Sequence, residues 1–248
     1  MIEISDELKR RLKNADKILF FTGAGASAES GIPTFRGEDG LWKKFSPEEL
    51  ASYDAFVKNP DLVWEWYQFR REIIRKAEPN NAHKAIAEFE KIYPDVTVVT
   101  QNIDNLHRRA GSSNILELHG NIEKNYCVNC GKRYDYVEFE NAHEVPKCDA
   151  CGGNIRPDVV WFGETLPQDV FKRAEQKAMA SEICFVVGTS AIVYPAAIIP
   201  YKAKDYGAYI VEVNLQYTDF TPDADESFFG KAGEILPKLL DLAKELHR

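Results

Sequence analysis

The chain has 248 residues and a formal net charge of -8. Its length allows one large domain or two modest ones, and a content of 44% hydrophobic and 28% charged residues excludes disordered and fibrous classes. The acidic balance excludes a general nucleic-acid binder, because neutralising phosphates takes clustered Lys and Arg, but it suits a basic partner.

The first residues, MIEISDELKRRL, alternate charged with apolar positions. They lack an uninterrupted apolar core, so neither a signal peptide nor a membrane anchor is expected, and the expected compartment is the cytoplasm. Residues Asp6 to Asn14 predict a short amphipathic helix. Lys17 to Phe21 (KILFF) predict a buried strand that runs straight into a glycine-rich turn. Further apolar runs at Val96 to Thr100, Ile183 to Val187 and Ala208 to Val213 are rich in β-branched residues and separated by helical patterns. That rhythm predicts an α/β fold with a parallel sheet and crossover helices. Two stretches break it: Gly40 to Ala77, helical and aromatic-rich, and Asn121 to Asn154, which holds four paired cysteines. They predict a smaller module, 38–77 with 121–154, inserted into a sheet domain of 1–37, 78–120 and 155–248.

The chain has five cysteines. Four form the pattern C-x2-C-x17-C-x2-C, from Cys127 and Cys130 to Cys148 and Cys151, with Gly131 and Gly152 following each pair. This spacing suits tetrahedral thiolate coordination in a reducing compartment better than a secreted disulfide scaffold. Four thiolates close the shell and leave no position for water or substrate, so one structural Zn2+ is expected. Cys184, within EICFVVG, is expected to be a buried core thiol.

After the KILFF strand, Gly23-Ala24-Gly25-Ala26-Ser27-Ala28 satisfies G-x-G-x-x-[GA], the turn that lets a pyrophosphate approach backbone N–H groups at a helix start. An ordinary dinucleotide site would continue to a second strand ending in an acidic residue about 20 positions on. Here the chain continues Glu29-Ser30-Gly31-Ile32-Pro33-Thr34-Phe35-Arg36-Gly37, which disfavours a hydride-transferring dehydrogenase. Gly188-Thr189-Ser190 follows the strand ICFVV and Asn214 follows YIVEV, both at carboxyl ends where α/β sheets bind ligands. Taken singly each is an ordinary turn. Together they outline one nucleotide cleft.

GAGASAESGIPTFRG at Gly23 to Gly37, TQNIDNLH at Thr100 to His107, LHG at Leu118 to Gly120, RPDVVWFGE at Arg156 to Glu164 and GTSAIVYPAA at Gly188 to Ala197 resemble the sirtuin family in order and spacing. The paired cysteines fall where that family carries its zinc, and the resemblance covers nearly the whole chain. It implies a Rossmann-like large domain, a smaller zinc-binding and helical domain, and a cleft that takes NAD and an acyl-lysine protein from opposite sides. Gly23, Ala24, Gly25, Ala28, Glu29, Thr34, Phe35, Arg36 and Trp42 would then surround the NAD, with Gln101, Asn102, Ile103 and Asp104 near the nicotinamide and its ribose. Gly188, Thr189 and Ser190 would take phosphate and ribose. Asn214, Leu215, Gln216 and Ala232 would border the adenosine, although many members carry Glu where this chain has Gln216.

The resemblance also implies NAD-dependent removal of acyl groups from protein lysines, in which the acyl oxygen attacks the ribose, nicotinamide leaves and O-acyl-ADP-ribose forms. Asn102 and Asp104 would assist cleavage of the nicotinamide bond, and His119 would be the general base, a role suited to a side chain that titrates near neutral pH. Val159, Val160, Trp161, Phe162 and Gly163 would form a groove where the substrate peptide adds as a strand. Within VWEWYQFRR, the i, i+3 spacing puts Tyr67 and Arg70 on one helical face, and Arg70 can hold a carboxylate bidentately. This resembles the sirtuin subclass with Tyr-x-x-Arg, which implies succinyl and malonyl removal, with Ala51 in keeping with a roomier pocket. His107 is expected to hydrogen-bond within its own helix turn, and His83 and His143 carry no legible signal. The competing functions are protein ADP-ribosyl transfer, which traps the same ribose with a protein side chain, and a non-enzymatic zinc-ribbon binding module.

Overall fold

The structure is a computed structural model that describes residues 2–34, 46–134 and 143–248. Its strands are β1 (Lys17–Thr22), β2 (Asp95–Thr100), β3 (Ile115–Glu117), β4 (Gly120–Cys127), β5 (Arg133–Tyr134), β6 (Ile155–Val159), β7 (Ile183–Val187), β8 (Tyr209–Asn214) and β9 (Glu226–Phe229). The helices are α1 (Asp6–Asn14), α2 (Pro47–Leu50), α3 (Tyr53–Lys58), α4 (Pro60–Lys76), α5 (Asn81–Phe89), α6 (Leu106–Arg109), α7 (Gln168–Ala180), α8 (Ile198–Asp205) and α9 (Ala232–Leu246).

α1 spans the expected residues because its start is specified locally. The Ser5 hydroxyl accepts from the Leu8 amide at 3.1 Å, and Asp6 and Glu7 face the positive end of the helix dipole. β1 (KILFFT) buries every residue after Lys17, as a central parallel strand must when helices cover both faces. Six strands run parallel in the order β3-β2-β1-β7-β8-β9. On one face Phe20 stacks on Phe185, with ring centroids 4.8 Å apart, and meets Phe89 edge-on at 5.2 Å, under a layer drawn from α1, α5 and α9. On the other, Leu19, Phe21 and Val186 pack against Ala174 and Ala178 of α7 and Ile199 of α8.

The strand order reverses between β1 and β7, and an α/β sheet opens a crevice at such a switch point beyond the carboxyl ends of its strands. The glycine turn, residues 101–105, His119 and Gly188 all follow strands that end there or lie just beyond them.

A second, antiparallel sheet has the order β5-β4-β6, with a register shift between Asn121 and Asn125. β6 pairs with β4, so Gly120, beside His119, lies opposite Val159. Against this sheet packs a third apolar cluster in which Trp64, Tyr67 and Ile74 of α4 meet Phe56, Ile122 and Trp161. Two short strands, β3 and β9, were not legible as apolar runs. The turn after β1 is a 3-10 helix, Ala24–Ser30, rather than the start of a long helix, and it ends at Gly31 with φ 83°. No described helix is long and apolar enough to cross a membrane.

Candidate active site

Gly23, Gly25 and Gly188 bring the ends of β1 and β7 into backbone contact. The Gly25 amide donates to the Gly188 carbonyl at 2.8 Å, and the Gly23 amide to the Val187 carbonyl at 3.0 Å. A Cβ on Gly25 would lie 2.7 Å from the Gly188 Cα, and one on Gly188, whose φ is +60°, would lie 2.3 Å from the Ala26 nitrogen. Glycine is required at these points by chain crossing, quite apart from any ligand. Asn214 extends the link to β8 by donating to the Thr189 carbonyl at 2.9 Å, and the Gln101 side chain donates to the Thr189 hydroxyl at 3.0 Å.

A buried polar chain lies beneath this turn. The Asn102 amide nitrogen donates to the Gly23 carbonyl at 3.0 Å and to the Ser27 hydroxyl at 3.2 Å, and that hydroxyl donates to Asp104 at 2.7 Å. The other Asp104 oxygen accepts the Leu106 amide at 3.0 Å. Both oxygens of this buried carboxylate are therefore engaged, and burial raises its pKa against the lowering effect of these bonds and of nearby Arg70. His107 does not bond within its own turn: its Nε2 meets the Thr22 hydroxyl at 2.9 Å, which donates to Thr100 at 2.8 Å. His83 packs edge-on against His107, with ring centroids 4.8 Å apart, and burial holds its pKa at about 4. Its Nδ1 accepts the Asn80 amide at 3.3 Å and helps to cap α5.

His119 is half-buried at the crevice, with Nδ1 3.0 Å from the Gln101 carbonyl oxygen. A carbonyl only accepts, so Nδ1 carries the proton and Nε2 keeps its lone pair. Burial lowers the His119 pKa and the carbonyl partly offsets this, which favours the neutral ring at neutral pH. The geometry is that of a general base with a fixed tautomer.

The remaining expected cofactor residues differ in exposure and partners. The Glu29 carboxylate accepts the Gly233 amide at 2.8 Å, next to buried Ala232, and so caps the first turn of α9. Ala24, Ala28, Thr34, Ile103 and Ser190 are half-buried, while Leu215 and Gln216 are exposed. Phe35, Arg36 and Trp42 lie outside the described residues.

Residues Val159 to Gly163 alternate, with Val159 and Trp161 buried, Val160 half-buried and Phe162 exposed. The Val160 amide donates to the His119 carbonyl and the Phe162 amide to the Ala51 carbonyl, both at 2.9 Å, so an incoming strand cannot pair with those two amides. Tyr67 and Arg70 are both buried, at 3% and 7% exposure. Burial pushes the Tyr67 phenol up, with Arg70 close enough to pull it back, and Arg70 also feels Asp104. Ala51 is buried in the same apolar cluster.

The four paired cysteines converge, their sulfurs lying within 4.8 Å of one another. Cys127 and Cys151 sulfurs are 3.4 Å apart, and those of Cys130 and Cys148 are 3.6 Å apart. These separations are too long for disulfides and close to the roughly 3.8 Å that tetrahedral Zn–S bonds of about 2.3 Å impose. The donor set fits one zinc. Cys184 is fully buried in β7, as expected.

A doubly wound sheet with a glycine-crossed switch point, a base at its rim and a four-cysteine knuckle define a nucleotide-using α/β enzyme with a structural metal. The Sir2 family profile matches residues 23–195. An NAD-dependent protein deacylase of Aquifex aeolicus is 52% identical over 230 residues, covering 92% of this chain and 95% of that protein. A Sir2 homolog–NAD complex superposes with a TM-score of 0.93 at 43% identity, over 99% of this chain and 96% of that one. A Sir2 variant holding a deacetylated peptide and 3′-O-acetyl ADP-ribose gives 0.85 at 37% identity, over 95% and 96% of the two chains. The chain belongs to the Sir2 family.

Ser27, His83, Thr22 and the Arg156–Glu164 pair were not anticipated as parts of the site. An isolated serine or histidine carries no periodic signal, and the partners of Ser27, His83 and Thr22 lie far away in sequence.

Proposed function

We propose that this Sir2 family member removes acyl groups from protein lysines with NAD as co-substrate, yielding nicotinamide and O-acyl-ADP-ribose, and that it accepts succinyl and malonyl as well as acetyl groups. The observation that carries the reaction is His119, whose Nδ1–H is held by the Gln101 carbonyl at 3.0 Å so that Nε2 is available as base at the switch-point crevice. Bound NAD would supply the ribose that takes the acyl oxygen. Nε2 of His119 would take a proton from a ribose hydroxyl once that oxygen is attached. Asn102 would meet the ribose side of the site, its amide nitrogen already fixed on Gly23 and Ser27. Asp104 acts as a positioning residue in this reading, holding Ser27 and through it Asn102. Gly23, Gly25 and Gly188, whose own amides are engaged between the turns, would let the phosphates approach the backbone closely, with Thr189 beside them.

The same reading divides the chain into a sheet domain and a smaller module at 38–77 and 121–154, with the substrates meeting between them. Cys127, Cys130, Cys148 and Cys151 would hold the zinc, which stiffens β4 and keeps out of the chemistry. Cysteines without disulfides and a charge of -8 support a reducing, cytoplasmic setting and a basic, acyl-lysine-bearing protein partner rather than nucleic acid. The acidic-acyl preference is supported by the burial of Tyr67 and Arg70 together on α4, since a desolvated guanidinium binds a carboxylate far more tightly than an exposed one.

The test is incubation with NAD and matched acetyl- and succinyl-lysine peptides, read by mass spectrometry. Both peptides should lose their acyl group with nicotinamide and O-acyl-ADP-ribose formed in step. Labelled NAD tagging protein while both peptides stay intact would favour ADP-ribosyl transfer instead.

A further inference from the structure

Trp161 belongs to the loop expected to line the substrate groove, yet its side chain is only 2% exposed. It points into the apolar cluster beside α4, and its indole Nε1–H donates to the Tyr67 hydroxyl at 2.8 Å across 94 positions of sequence. The indole is locked from the other side. The Arg156 guanidinium carbon lies 3.3 Å from the centre of the Trp161 ring and 5.2 Å from that of Tyr126. Arg156 in turn bonds both Glu164 oxygens, at 2.6 and 2.9 Å, and the Val159 carbonyl at 2.9 Å. Glu164 also accepts the Trp161 amide at 2.8 Å, so backbone and ring are fixed by one ion pair between buried Arg156 and half-buried Glu164.

This geometry constrains the Tyr67 proton. Indole nitrogen donates and has no lone pair to accept with, so the Tyr67 oxygen must be the acceptor of this bond. The phenolic hydrogen is thereby turned away from Trp161 and remains available as a donor, next to the Arg70 charge. A carboxylate needs donors on both oxygens, and Arg70 together with a Tyr67 O–H that Trp161 cannot accept would supply them.

We infer that Trp161 is a specificity-determining positioning residue, which orients the Tyr67 hydroxyl as a donor to the carboxylate of an acidic acyl group. The inference rests on the acidic-acyl reading above. Trp161→Phe keeps an aromatic face for Arg156 and removes the N–H. It should lower the ratio of desuccinylation to deacetylation in kcat/KM about fivefold to tenfold, the range of one lost hydrogen bond, with the change carried mainly by the KM for succinyl-lysine peptide. In a Tyr67→Phe background the same substitution should leave the ratio where Tyr67→Phe alone puts it, because there is no hydroxyl left to orient. An independent check uses the otherwise unaltered protein: the indole 15N–1H resonance that Tyr67→Phe displaces should move on titration with succinyl-lysine peptide and hold still with acetyl-lysine peptide. Desuccinylation whose ratio is unchanged by Trp161→Phe, or changed equally with and without the Tyr67 hydroxyl, overturns the inference alone, as does an indole resonance indifferent to the acyl group. Absence of desuccinylation by the unaltered protein overturns the acidic-acyl reading and the inference with it.

Discussion

At the carboxyl edge of the six-stranded sheet, polar side chains hold one another above a broad aromatic and aliphatic core. At the far end of the three-stranded sheet, the apolar cluster among the described residues contains only Cys127, Cys148 and Ile155, with Tyr134 alongside. The first region has its hydrogen bonds made before any ligand arrives: Asn102 to Gly23 and Ser27, Ser27 to Asp104, His119 to Gln101. The second brings four thiols together with little hydrophobic burial to offset the cost of ordering the chain. The contrast teaches that preorganisation in this protein has two sources, packing on the NAD side and metal ligation in the knuckle.

The largest effect that separates the two should come from the metal. Cys148→Ser, or a strong chelator, should lower bound zinc from about one equivalent to nearly none and melt the three-stranded sheet, since structural zinc supplies folding energy on the order of 10 kcal/mol. The parallel sheet should survive, seen as retained amide protection in β1, β2 and β7. Loss of protection in both sheets together would erase the distinction.

Next comes Arg70→Met, which leaves the knuckle alone and strips the charge from the proposed acyl pocket. Desuccinylation should fall about a hundredfold in kcat/KM, in line with loss of charge-assisted bonds to a carboxylate, and deacetylation much less. Equal losses for both peptides would remove Arg70 from acyl selection.

A smaller effect should appear in stability against pH. The pKa of His83 is held at about 4 by burial, below its ordinary value of 6.5. Above pH 6.5 the ring is neutral folded or unfolded and the full stability is present. As pH falls below 6.5 the unfolded state takes up a proton that the folded state refuses, and stability drops until the folded ring also protonates near pH 4. The decrease from about pH 8 to about pH 5 should be about 2 kcal/mol from this group, measured by denaturant titration. His83→Gln should flatten the curve by that amount, and an unaltered slope would show that His83 is not held neutral.

Smallest is Gly25→Ala at the switch point. Its Cβ would press on the Gly188 Cα at 2.7 Å, so about 1 to 2 kcal/mol of stability should be lost, together with weaker NAD binding as β1 and β7 separate. Unchanged thermal stability would mean that the two turns can move apart freely.

The parts of this molecule that were legible in its sequence are those whose cause is local. β1 and β7 show as apolar runs because both faces of each are covered, α1 shows through its amphipathic pattern, and the knuckle shows because each CxxC pair is a single turn. β9, with the sequence ESFF, was not legible, because it takes strand form by pairing with β8 at the sheet edge. The polar chain under the site was hidden for a similar reason. Ser27 meets His83 across 56 positions and Asp104 across 77, and nothing in either neighbourhood announces the other. The inward turn of Trp161 was not legible either, because its partners, Tyr67 on α4 and the Arg156–Glu164 pair, are brought to it by the fold.

The central claim is that the crevice where β1 meets β7 carries out NAD-dependent deacylation with His119 as base. The most direct test compares the unaltered protein with His119→Ala for turnover of acetyl-lysine peptide across pH, with NAD affinity measured in parallel by calorimetry. Turnover of the unaltered protein should decline as pH falls through a value at or below about 6.5, and His119→Ala should lose at least about a hundredfold in kcat at every pH while NAD affinity changes little. Substantial turnover by His119→Ala with the same acid limb would contradict the claim.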